Sequence, residues 1–230
     1  MACQRTSATR EERAVIELAP GLIHHPGYLD AAAQDALASD LAAVLREAPP
    51  FTPVMPRTGR PFSVRMTNCG PLGWVSDRAG YRYQAAHPET GRPWPAMPAA
   101  ALHAWAALAG CPAGPEACLV NLYAPGTRMG LHQDRDEADF AAPVLSLSLG
   151  ATALFRFGGL SRSDPTRSVR LASGDALVIG GPSRLIFHGI DRIMPADLLA
   201  PASGPVLPEA VAAGGRLNLT LRRVSALRRA

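Results

Sequence analysis

The chain has 230 residues and a mass of 24.2 kDa, enough to bury a full core and within the length that one β-sandwich or barrel commonly occupies. A composition 47% hydrophobic and 18% charged, with mean hydropathy +0.04, excludes global disorder, and 22 Pro with 21 Gly imply many turns. Net charge is only +4, yet lysine is absent and all 23 basic residues are arginine, a usage that GC-rich coding alone would produce. The segment from Arg57 to Trp94 carries Arg57, Arg60, Arg65, Arg78, Arg82 and Arg92 against Asp77 and Glu89, which matches the whole excess.

Residues 1–15 read as a loose polar tail without the apolar stretch of a secretion signal. The longest uncharged run, Pro93 to Pro115, is too broken by proline to span a membrane. The expected location is cytoplasmic, with no membrane partner and no obligate protein partner. Cys3, Cys69, Cys111 and Cys118 form no C-x-x-C pair and are expected as reduced thiols.

From Asp30, a helix N-cap, Leu37, Leu41, Val44 and Leu45 recur at helical spacing until Pro49 and Pro50. A second helix is expected from about Pro98 to Gly110, with Leu102, Trp105 and Leu108 on its packing side. After Cys118 the period becomes alternating. Leu145, Leu147 and Leu149 interleave with Ser146 and Ser148, and Leu217, Leu219 and Leu221 with Asn218 and Thr220. Short apolar runs at 153–157, 169–171, 176–179 and 185–190 are separated by glycine turns. The fold class expected is mainly β with flanking helices, a jelly roll or double-stranded β-helix of the cupin kind. Residues 196–215, rich in Pro, Ala and Gly, read as a surface loop.

Three positions suggest metal chemistry. In an extended strand, His132-Gln133-Asp134 puts two ligand-type side chains on one face, and His188 lies in the strand-like run Leu185 to Gly189. Two histidines and one carboxylate make the facial triad of non-haem Fe(II) oxygenases, although an H-x-D and a lone histidine also arise without a metal. In Arg216-Leu217-Asn218-Leu219-Thr220-Leu221-Arg222 the leucines take one face, and Arg216, Asn218, Thr220 and Arg222 share the other. That polar face is either solvated or a clamp whose two guanidiniums grip the ends of a short diacid.

With these motifs in view, the chain resembles the AlkB-type nucleic-acid dioxygenases from about Met66 to Arg222. The resemblance is carried by Met66-Thr67-Asn68-Cys69-Gly70, Trp94-Pro95-Ala96-Met97-Pro98, Asn121-Leu122-Tyr123-Ala124-Pro125-Gly126, His132-Gln133-Asp134-Arg135-Asp136-Glu137, Phe157-Gly158-Gly159, His188-Gly189-Ile190 and the Arg216 to Arg222 strand. It implies one dioxygenase domain over 16–230 with a nucleotide-recognition lid at about 57–95. It implies Fe(II) held by His132, Asp134 and His188, which are also the catalytic set, and 2-oxoglutarate bound by Asn121, Tyr123, Arg216, Asn218 and Arg222. The reaction implied uses O2 to dealkylate 1-methyladenine- and 3-methylcytosine-type lesions in DNA, with RNA also open, releasing aldehyde, succinate and CO2.

On the substrate side the resemblance implies Trp74, Tyr81, Asp136 and Arg162. Aromatic faces attract a cationic alkylated base and a carboxylate can accept from its exocyclic amine, while the surrounding arginines would hold phosphates. Ile179 stands where the family carries a large aromatic, and the 196–215 loop is longer than expected. Two alternatives remain at this point: a 2-oxoglutarate dioxygenase acting on a protein or small molecule, and a jelly roll that binds lesions without turnover.

Overall fold

A computed structural model describes residues 14–194, 207–209 and 211–226. The tail at 1–13 and most of the 196–215 loop lie outside the described residues. The chain runs β1 (Ile16–Ala19), β2 (Leu22–His25), α1 (Ala31–Glu47), β3 (Arg65–Cys69), β4 (Gly73–Asp77), β5 (Gly80–Gln84), α2 (Ala99–Leu108), β6 (Ala117–Tyr123) and β7 (Met129–His132). It continues through β8 (Val144–Gly150), β9 (Ala153–Phe157), β10 (Arg167–Leu171), β11 (Ala176–Ile179), a short 3-10 turn (Gly181–Ser183), β12 (His188–Ile193) and β13 (Arg216–Arg222).

Two antiparallel sheets form the jelly roll: a seven-stranded sheet ordered β1-β2-β11-β8-β13-β6-β3 and a four-stranded sheet ordered β10-β9-β12-β7. The leucine alternation sets the register of the large sheet. Leu217, Leu219 and Leu221 of β13 lie opposite Leu149, Leu147 and Leu145 of β8, and on the other side opposite Leu122, Val120 and Cys118 of β6. These residues form one apolar layer under α1 and α2. Because side chains alternate along a strand, the same register turns Ser146, Ser148, Asn121, Tyr123, Arg216, Asn218 and Arg222 to the other face, inside the roll. Buried there are Leu119, Tyr123, Phe155, Phe157, Ile179 and Ile190.

Helix α1 starts as expected, with the Asp30 carboxylate accepting from the Ala33 amide at 2.9 Å. Helix α2 ends before Gly110, whose φ of 58° suits the left-handed position that glycine fills after a helix. Its packing face differs from expectation. Ala101, Ala104 and Trp105 are buried, whereas Leu102 is 41% exposed, so the buried face is made of two alanines and Trp105 and excludes Leu102. The run at 185–190 is a strand only from His188 onward, the preceding residues leaving the 3-10 turn. Cys69, Cys111 and Cys118 are free thiols. Among the described residues no helix is long and apolar enough to cross a membrane.

Candidate metal centre and base-reading lid

β7 and β12 pair antiparallel with His132 opposite His188, so two imidazoles from adjacent strands face each other inside the roll. β7 ends at His132, and Asp134 therefore reaches the site from irregular chain and not from the same strand, contrary to the extended reading of His-x-Asp. The outcome is still convergent. Asp134 Oδ1 lies 3.8 Å from His132 Nε2, its Oδ2 lies 3.8 Å from His188 Nε2, and one ligand atom from each residue falls within 4.8 Å of the others. Gln133 points away and donates to the Leu185 carbonyl at 2.6 Å.

Both rings are oriented by main-chain carbonyls: His132 Nδ1 to Gly130 O at 2.9 Å and His188 Nδ1 to Ile186 O at 3.1 Å. A carbonyl only accepts, so each Nδ1 carries a proton, and each Nε2 is the nitrogen turned to the cluster. Burial, then the neighbouring His132 ring, lowers the His188 pKa to about 4, which keeps His188 neutral. For Asp134 burial opposes ionisation, but Arg222, His188 and His132 outweigh it and hold the carboxyl well below its usual range. Gly189 next to His188 has no room for a β-carbon, which would collide with the Met129 carbonyl of β7. Glycine there lets the two ligand-bearing strands close up.

The polar face of β13 lines the same cavity, of about 840 Å³. Arg216 lies opposite Tyr123 and Asn218 opposite Asn121. Arg216 is fully buried and, among the described residues, donates to neutral acceptors: Ala151 O and Leu171 O, each at 3.0 Å, and Ser148 Oγ at 2.6 Å. Desolvation lowers its pKa to about 10. Its Nε and the Oδ1 of Asn121 are buried without hydrogen-bond partners. Asn218 donates to Ser146 Oγ and Leu147 O, and Thr220 to Asn218 Oδ1. Arg222 is committed differently, its Nη2 donating to Asp134 Oδ1 at 2.8 Å and its Nε lying 3.4 Å from Glu137.

Over the cavity lies the β4-β5 hairpin. Its entry is pinned by Asn68, whose side chain accepts from the Trp74 amide and donates to the Trp74 carbonyl, both at 3.0 Å. Behind it, Phe51, His87 and Trp94 pack together, with Trp94 Nε1 donating to Gln84 O at 2.8 Å. Trp74 stacks on Tyr81 at 5.6 Å and 18°, and its indole N–H donates to Asp136 Oδ2 at 2.8 Å. Trp74, Tyr81, Asp136 and Arg162 all border the cavity that holds the triad.

The model of the 2OG-Fe(II) oxygenase superfamily matches residues 21–222. The chain is 54% identical over 208 residues to the alpha-ketoglutarate-dependent dioxygenase AlkB homolog of Caulobacter vibrioides, covering 90% of both chains. It is 44% identical over 112 residues to the DNA N(6)-methyladenine demethylase ALKBH1D of Arabidopsis thaliana, 47% of this chain and 24% of that one. The solved structure of OsALKBH1 superposes with a TM-score of 0.70 and 30% identity, covering 91% of this chain and all of that one. The chain belongs to the AlkB-type Fe(II)- and 2-oxoglutarate-dependent dioxygenases.

The residues present fit the groups this dioxygenase family uses. Two imidazoles and one carboxylate are the donor set of an oxygenase iron, which keeps further positions open. A buried guanidinium without an acidic partner among the described residues, beside an Asn121 oxygen unsatisfied by them, suits an anionic ligand such as 2-oxoglutarate. The two guanidiniums of the β13 polar face are held differently: Arg222 Nη2 pairs with Asp134, whereas the hydrogen bonds of Arg216 described above go to neutral acceptors.

Two residues of this AlkB-type site escaped sequence reasoning. Glu137 accepts from the Tyr83 hydroxyl at 2.5 Å and from Arg184 Nη2 at 3.0 Å. Arg184, buried after the 3-10 turn, also donates to the Asp134 carbonyl at 2.6 Å and to Ala142 O at 2.9 Å. Glu137 sits in an acid-rich run that reads as solvated, and nothing around Arg184 marks it as buried. The lid arginines also divide. Arg82 is held by Asp77 at 2.8 and 3.0 Å and Arg65 donates to Pro50 O, whereas Arg57, Arg60, Arg78 and Arg92 are exposed.

Proposed function

We propose that this dioxygenase removes alkyl groups oxidatively from N-alkylated nucleobases of the 1-methyladenine and 3-methylcytosine type, in DNA or RNA. One observation carries the reading: an aromatic lid pair, Trp74 on Tyr81, is fixed by Asp136 at the rim of the cavity whose floor is the His132, Asp134 and His188 cluster. A cationic base stacked on Trp74 gains from the ring quadrupole. Asp136 Oδ2 is engaged by the indole, so Oδ1 is the oxygen left to accept from an exocyclic amine.

His132, Asp134 and His188 would hold the iron, and Arg216 with Asn121, Tyr123, Asn218 and Arg222 would hold 2-oxoglutarate. When bound, these groups supply with O2 the oxidising power that hydroxylates the N-alkyl carbon, after which the hemiaminal releases an aldehyde. The chain orients the base, keeps His188 neutral and excludes water from the cavity. The demethylase name of the Arabidopsis relative supports nucleic acid as the substrate class. Succinate production should require a methylated oligonucleotide and rise little with its unmodified twin. Equal succinate from both, or release of no aldehyde, would overturn the substrate.

A further inference from the structure

The outward face of the four-stranded sheet is built almost entirely of arginine and small or apolar residues. Register places Arg170, Leu154 and Arg192 in one row across β10, β9 and β12, and Ser168, Arg156 and Gly189 in the next. Arg156, Arg170 and Arg192 are exposed, and none forms an ion pair among the described residues; Arg156 Nε donates to Thr166 Oγ1 at 2.9 Å, leaving its terminal nitrogens. Strand spacing separates Arg170 from Arg192 by about 10 Å, and Arg156 stands about 7 Å further along β9. Asp191, the extra residue at the β12 bulge, is the acid beside this grid. Arg167 is committed elsewhere, donating to Leu18 O and lying over the Phe157 ring.

The opposite side of the molecule has the reverse charge. On α1, over the large sheet, Asp35, Asp40 and Glu47 are exposed with Arg46 as the exposed cation of the helix. The arginine face is also continuous with the cavity rim. The loop between β9 and β10 carries Arg162, which borders the cavity, and β9 runs outward from that loop past Arg156 to the Arg170 and Arg192 row.

We propose that this face binds the phosphate backbone of the nucleic-acid substrate beyond the lesion pocket, with Arg156, Arg170 and Arg192 as the contacts. The proposal rests on the nucleic-acid reading above and extends it to a second surface. Guanidiniums spaced across three strands, with the uncharged Leu154 and Ser168 between them, suit a ribbon of phosphates in charge and spacing. Acids at those positions would form the usual mixed surface, and the helix side shows what repels such a strand.

The test uses the full chain loaded with Mn(II) and 2-oxoglutarate, binding an unmodified duplex of about 25 base pairs and a single strand of about five nucleotides by fluorescence anisotropy, at salt between roughly 50 and 200 mM. Each phosphate contact contributes about 0.9 to the slope of log K against log salt on a duplex. Changing Arg156, Arg170 and Arg192 together to Gln should flatten that slope by nearly three, so the variant loses roughly forty-fold less affinity across that range than the parent. The three Arg→Lys changes should preserve the slope, because charge sets it. A slope on the duplex unchanged by the Gln variant, or no gain in parental affinity from the short strand to the duplex, overturns the proposal. Succinate yield from a methylated trinucleotide, too short to reach this face, reports separately on the demethylation reading.

Discussion

Arg184 donates a 2.6 Å hydrogen bond to the main-chain carbonyl of Asp134, the residue whose carboxylate bridges the two site histidines. The carboxylate itself is held by Arg222 at 2.8 Å, so backbone and side chain of one ligand are fixed by two buried guanidiniums. Both guanidiniums meet again at Glu137, and the four charges balance. β7 ends at His132, two residues before Asp134, and this network replaces the strand as its support.

Asp134→Asn should abolish turnover and lower Mn(II) affinity sharply, since the amide cannot supply the anionic oxygen. Asn keeps an acceptor for Arg222, so loss of stability should be smaller than for Asp134→Ala, which leaves a buried cation facing Glu137 alone. Calorimetric Mn(II) binding and thermal melting of both variants check this. Iron-dependent turnover by either one would remove Asp134 from the ligand set.

Arg184→Met should cost about 3 to 5 kcal/mol, because it removes the nearer cation of the buried Glu137 carboxylate and leaves it Arg222 at 3.4 Å and the Tyr83 hydroxyl. Combining it with Glu137→Leu should recover much of that loss, as an apolar replacement of a buried pair often does. Urea denaturation of the two single variants and the double variant gives the coupling directly. Additive single costs would mean that the pair is not energetically linked.

The parts that were legible in the sequence share one property: a period that only one environment satisfies. Leucine at every second position of β8 and β13 required a continuous apolar layer, and the helices supply it. The polar alternates were ambiguous, since Arg216, Asn218 and Arg222 would alternate identically on a solvated face. Which face of a sheet meets water is decided by packing of distant elements and leaves no local trace. The same holds for Arg184 and Glu137, whose burial follows from a turn and a loop meeting, and for Leu102, left off the buried face that two alanines and Trp105 make. Asp134 failed as a strand residue because His-x-Asp fixes residue types but not where the strand stops.

Arg216→Lys tests the buried cation. A ligand bound only by the native state stabilises it by about 2.7 kcal/mol at a hundredfold excess over Kd. With Mn(II) present, 2-oxoglutarate should therefore raise the melting temperature of the parent by several degrees and of Arg216→Lys far less, since Lys cannot reproduce the planar fork. An equal rise in both would show that the anion binds elsewhere.

Trp74 and Asp136 supply the most discriminating experiment, because the 2.8 Å bond between them makes two separable functions interdependent. Trp74→Ala removes the stacking face, worth about 1 to 3 kcal/mol per base in single-strand binders, and should weaken binding of a methylated oligonucleotide more than of its unmodified twin. Arg78→Ala, on the exposed tip of the hairpin, should weaken both alike and reduce the salt slope by about one unit. Asp136→Ala should do two things at once: change the ranking among alkylated bases, because its free oxygen accepts from the exocyclic amine, and alter the emission of Trp74, whose indole loses its acceptor. Asp136→Asn keeps an acceptor for the indole while replacing the anion, so emission should stay near the parental value while the base ranking still shifts. Binding curves at two salt concentrations, with fluorescence of each variant in a Trp94→Phe, Trp105→Phe background, separate these effects. If Asp136→Ala leaves both the emission and the ranking as in the parent, the contact has no part in reading the base, and Trp74 acts by stacking alone.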